Sequence, residues 1–243
     1  ALIPSHAFCD DVHESDSQLW KVGERRWTVQ EEHNYSEWVE KNITDDFFIR
    51  YDIPVDCADV PYAARWIYAR IAHLPAAATT GENRLIGHWS EDWRHLPTGE
   101  NWEDDRRFRV ALLNMLSRTS TRTMPSDTYP VRIAADSVTP GTVFLISENH
   151  AGIVSDLVMD GSTTHPVQTL EAGMPARVQK LFLRNLIMPN PSYSNEISGL
   201  IKFRWPILRD NRWQYLPVKE HPFYSEEQYS PAFTDGYVDY LEA

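Results

Sequence analysis

The chain has 243 residues, 42% of them hydrophobic, enough for one substantial core and too apolar for a disordered segment. A net charge of −12, with no basic run interleaved with aromatics, argues against a nucleic-acid partner. No apolar run approaches the roughly 18 residues of a membrane-spanning helix, and with two cysteines, Cys9 and Cys57, at most one disulfide is possible.

The chain begins at Ala1 rather than Met, as a mature exported protein would, so a periplasmic or secreted bacterial protein is expected. Residues 1–50 are acidic and carry Trp20, Trp27 and Trp38, with a helical stripe over Tyr35 to Ile43. They read as an N-terminal extension capping the core. Residues 51–216 read as the main domain and 217–243 as a C-terminal extension without a readable pattern.

After Pro54, Cys57, Val60, Ala64, Ile67, Tyr68 and Ile71 recur at three- and four-residue steps, and Pro75 follows. This spacing predicts a buried helix. Pro61 is tolerated only in the first turn, so the helix starts near Asp56 or Cys57. Residues 79–105, with Trp89, Trp93 and Trp102 among glycines and prolines, read as a long loop. Arg106 to Leu116 reads as a helix. Strands are predicted at Thr142–Ile146, Ala151–Met159, Thr163–Leu170, Val178–Leu186 and Ile201–Trp205, with a further hairpin turning at Asp210-Asn211. The fold class is α+β, a cysteine-bearing helix on a small antiparallel sheet.

A thiol attacks well only as thiolate, and a helix N-terminus favours that form, so Cys57 is the candidate nucleophile. Its backbone N–H, left free there, would serve as an oxyanion donor. His150, heading the strand His150-Ala151-Gly152-Ile153-Val154, is the candidate base, and the small Ala151 and Gly152 permit a close approach. If Asp160-Gly161 is a two-residue type I′ turn, His150 faces Glu171 across the hairpin. Glu171 is then the third member. His165 is the second choice, since it would face Asp156, about 20 Å along the strand from His150. Gln168, on the other face, is third. No HExxH occurs, and His88 and His95 would be about 10.5 Å apart along a helix, so neither metal nor other cofactor is expected. No Gly-x-Ser-x-Gly elbow is present.

The stretches "DCADVPYAARWIYA", "PGTVFLISENHAGIVSDL" and "HPVQTLEAG" resemble the papain-like cell-wall hydrolases of the NlpC and CHAP groups, over roughly Tyr51 to Phe203. The resemblance implies a papain-like fold, no cofactor, and cleavage of an amide in a peptidoglycan stem peptide by Cys57, His150 and an acid. It also suggests Tyr51 as an aid to the oxyanion site. Ala58-Asp59 stands in place of the family's Ser-Gly, Thr142 in place of its Asp, and the stretch from Thr79 to Asp105 is additional. Asp56 and Asp59 beside the nucleophile, with Trp89 and Trp93, complete the candidate substrate-binding residues. The competing readings are a catalytically silent glycan- or peptide-binding module on the same frame, and a cysteine-dependent acyl or amide transferase.

Overall fold

The computed structural model describes residues 16–146, 148–163, 165–186 and 199–230. Helix α1 (Val29–Asn42) starts six residues before the predicted stripe because Thr28 caps it, its hydroxyl accepting the Glu31 N–H at 3.2 Å. A short α2 (Phe47–Arg50) follows. Helix α3 (Asp59–Ala72) is the hub: every residue from Asp59 to Arg70 is buried. It stops at His73, which takes a left-handed φ of 54° while Leu74 donates to the Ala69 carbonyl. Ile71, counted in the apolar stripe, is exposed. Helix α4 (Arg106–Leu116) spans the predicted residues; Asp105 caps it through the Phe108 N–H and also pairs with Arg70 of α3. A last short helix, α5 (Met124–Asp127), leads into the sheet.

The loop expected after residue 79 begins as a small hairpin, β1 (Ala77–Thr79) with β2 (Leu85–Gly87). The main sheet contains β3 (Thr128–Pro130), β4 (Val143–Ile146), β5 (His150–Leu157), β6 (Val167–Glu171), β7 (Phe182–Asn185) and β8 (Gly199–Phe203). Its order is β3-β8-β4-β5-β6-β7, with every pair antiparallel. Strands β9 (Pro206–Arg209) and β10 (Arg212–Tyr215) form the second predicted hairpin. Asp210 and Asn211 both take positive φ there, as a type I′ turn requires.

Alternation along the strands sends side chains into two cores, which makes the fold α+β. Val143, Leu145, Ala151, Ile153, Leu170 and Ile201 join the helices; Phe144, Val154, Val167 and Leu200 fill the opposite face with Tyr129 and Phe223. The segments read as extensions share these cores. Trp20 and Trp27 donate their ring N–H groups to the Leu74 and Pro75 carbonyls beyond α3. Gln228 ties β8 to the chain after β3 through Leu200 and Val131. Among the described residues, no helix is long and apolar enough to cross a membrane.

Candidate active site

Cys57 sits at the start of α3, held between two aspartates. The Asp56 carboxylate accepts the N–H groups of Ala58 and Asp59 at 3.0 and 3.3 Å, and the Asp59 carboxylate accepts the Asp56 N–H at 2.9 Å. This reciprocal pair is a capping box, with Asp56 as the cap and Cys57 as the first residue inside it. Ala58 already has helical dihedrals, so the regular helix from Asp59 continues a turn begun at Cys57, and Pro61 falls in that first turn. Cys57 is a free thiol, buried to 4% exposure, and its N–H pairs with no described residue. The other cysteine, Cys9, lies outside the described residues. Burial, with the Asp56 charge added, pushes the Asp59 carboxyl up to about 7.

His150 opens β5 directly after a tight turn in which Glu148 takes a φ of 54° and Asn149 donates to the Ile146 carbonyl. Its Nε2 lies 2.8 Å from Glu171 Oε2, and the Cys57 thiol is near enough to act on the ring electrostatically. The thiol first and Glu171 next raise the imidazole to about 9 against the cost of burial. Burial alone would raise the Glu171 carboxyl. The His150 bond, a 2.8 Å bond from the Thr169 hydroxyl to Oε1 and the charges of His150 and Arg184 outweigh it and keep the group below its usual range.

Gly152 makes the arrangement possible. A Cβ there would stand 2.4 Å from the Phe144 ring and 2.8 Å from Glu171 Cγ. The close approach expected at this glycine is therefore made by the Glu171 side chain, and the Phe144 ring meets His150 edge-on at 5.7 Å.

The pairing of His150 with Glu171 is present, but the register assumed for it is not. Strand β6 pairs Leu170 with Ile153 and Thr169 with Val154, which sets Glu171 beside Gly152 rather than His150. The turn is not a two-residue type I′: Asp160 lacks the positive φ that type demands, its carboxylate accepts the Ser162 N–H, and the loop closes at Val158 on the Pro166 carbonyl. A bulge between Val154 and Asp156 adds a further step. Near the site the slip is two residues, so Glu171 stays on the face of His150 and reaches it diagonally.

The other candidates are not drawn to this centre. His165 lies in the loop before β6, its N–H on the Thr163 hydroxyl, and Gln168 bonds Asn185. Tyr51 packs its ring on Phe47 and Trp102, and its carbonyl takes Arg109. Trp89 stacks on Trp213 at 5.3 Å beside His88, whose N–H meets the Ala76 carbonyl past the C-terminal end of α3. Cys57 is at the N-terminal end of that helix, about 20 Å away along its axis. Trp93 packs on the main core. Asp56 and Asp59, unlike these, flank Cys57 through the capping box.

Three contributors were not singled out from sequence: Thr169, Arg184 and Gln179. Gln179 donates to the carbonyls of Val55 and Gly173 at 2.7 Å each, and a bridge pairs Val55 with Arg177, so the segment after β6 is clamped two residues before Cys57. The Thr169-x-Glu171 spacing, which puts both side chains on one face of a strand, was a usable signal for the first of them. Among the described residues, no group of three or more His, Cys, Asp or Glu side chains is placed to hold a metal ion. Compared with family models, with curated proteins and with solved structures, the chain matches none.

Proposed function

We propose that the chain is a cysteine-dependent hydrolase of amide bonds on a papain-like frame of the NlpC and CHAP kind, acting outside the cytoplasm on peptidoglycan stem peptides. The observation that carries this reading is the 2.8 Å bond from His150 to the Glu171 carboxylate, with the Cys57 thiol acting on the same ring from the start of α3. In this scheme the thiol proton resides on His150, and the Cys57 thiolate attacks the amide carbonyl carbon. The Cys57 N–H at the helix start faces the developing oxyanion. As the C–N bond breaks, His150 gives its proton to the leaving amine and a thioester remains. Neutral His150 then takes a proton from water, the hydroxide displaces the thiolate, and the acid is released with the imidazolium restored. Glu171 fixes the ring, with Nε2–H toward itself and Nδ1 toward the sulfur.

The 4% exposure of Cys57 favours the silent binding frame as the second reading. Alkylation by iodoacetamide from pH 4 to 9, with Cys57 and Cys9 separated by mass spectrometry, decides between them. Fast labelling of Cys57 in the folded protein across the neutral range, with cleavage of peptidoglycan fragments lost in Cys57→Ala, is the expected result. Labelling that requires denaturant leaves only the binding frame.

A further inference from the structure

Arg184 stands on β7 opposite Thr169, and cross-strand partners project from one face, so its side chain shares the face of Glu171 and His150. Its Nε approaches Glu171 Oε2 at a long 3.5 Å, on the oxygen that His150 already holds at 2.8 Å. Arg65 takes both oxygens of the buried Glu32, at 3.0 and 2.5 Å, and Arg70 sets its Nε and a terminal nitrogen on one oxygen of the buried Asp105, at 3.2 and 2.9 Å; Arg184 engages its carboxylate through Nε alone. Glu171 Oε1 is taken by Thr169 instead. The two terminal nitrogens of Arg184, with four N–H donors, pair with no described residue, and the side chain is 65% exposed.

One position earlier on the same face, opposite Glu171, Phe182 leaves half of its surface to solvent. A flat apolar ring beside an unfilled guanidinium fork complements a short methylene stem ending in a carboxylate. The Glu171 contact engages only the Arg184 Nε, so the terminal fork of the guanidinium stays open to solvent.

Resting on the cysteine-hydrolase reading, we infer that the substrate carries a free carboxylate next to the scissile amide, and that Arg184 binds it as a specificity-determining residue, with Phe182 under the methylene stem. Peptides whose side-chain acid is converted to the carboxamide are then poor substrates.

The test uses two affinity labels of equal size, the α-amides of N-iodoacetyl-glutamic acid and N-iodoacetyl-glutamine, and measures second-order rates of Cys57 alkylation in the folded full chain. The remaining charges of the site act on the acid in every variant, so the informative quantity is the acid-to-amide ratio relative to the unsubstituted protein. Arg184→Gln is expected to lower that ratio about tenfold and Arg184→Lys to retain part of it, with unchanged thermal unfolding. Phe182→Ala is expected to slow both labels together. Equal slowing of both labels in Arg184→Gln would show an arginine that only supports Glu171 and would overturn the inference. No labelling of Cys57 by either reagent in the folded protein would remove the hydrolase reading, and this inference with it.

Discussion

Glu32 and Glu171 are both carboxylates with little solvent exposure that face a cation, yet their surroundings differ in one respect. Glu32 is closed on every side: Arg65 takes both oxygens, the Trp205 ring N–H adds a 2.6 Å bond, and the guanidinium lies 3.2 Å from the Trp27 ring centroid. Nothing in that network can leave without stranding a buried charge, which makes it a joint between α1, α3 and the chain after β8. Glu171 is closed on only one side. Its partner, His150, is part-exposed, and the Cys57 thiol acts on the same ring. A half-open pair of this kind is poor at holding a fold, and it is the one on which the proposed proton transfer rests.

Substitutions can break that contrast from either end. The largest effect is expected from Cys57→Ala: amide cleavage falls by about a thousandfold or more while the denaturation midpoint hardly moves. A large fall in stability would make the cysteine a core residue. Glu32→Ala is its mirror image, costing about 3 to 5 kcal/mol in chemical denaturation because Arg65 is left buried without its partner.

Glu171→Gln should reduce cleavage by about a hundredfold, whereas His165→Ala should leave it unchanged. Comparable losses in the two variants would contradict the geometry described. The same Glu171→Gln variant should move the alkaline limb of Cys57 alkylation. His150 is raised from 6.5 to about 9, so the ion pair and its contribution to stability are complete below 6.5 and lost as pH rises through about 9. Removing Glu171 brings that limb down. Glu171 is itself lowered from 4.5, so its contribution holds above 4.5 and fades as pH falls below it. The smallest effect is expected from Gly152→Ala, about 1 to 3 kcal/mol, because the added methyl must displace Phe144 or Glu171. A neutral Gly152→Ala in both stability and cleavage would show that Glu171 has room to spare.

Periodicity and turn chemistry made much of this legible. Helices α3 and α4 came from apolar spacing, the place of Cys57 at a helix start from Pro61, and the β9–β10 hairpin from Asp210-Asn211 with its two positive φ values. The loop between β5 and β6 was misread for the converse reason: Asp160-Gly161 has the composition of a two-residue turn, but side-chain capping of Ser162 and a bulge near Ser155 compete with it. Glu171 was still reached because a two-residue slip preserves the face. What no local signal could give is long-range. Strands β1, β2 and β3 have three residues each, too few for alternation, and the anchoring of Trp20 and Trp27 depends on carbonyls freed by the end of α3.

The Gln179 clamp joins residues 124 apart in sequence, Val55 and Gln179, and fixes the chain two residues before Cys57. Non-local contacts of that span form late, after the ordering entropy of the intervening chain has been lost. A chain diluted from denaturant should therefore regain helical ellipticity from α3 and α4 well before Cys57 regains its fast alkylation. On the proposed reading Cys57 would stay idle through the collapse and come into play only when the segment beyond β6 has docked, so a partly folded chain would carry no working centre.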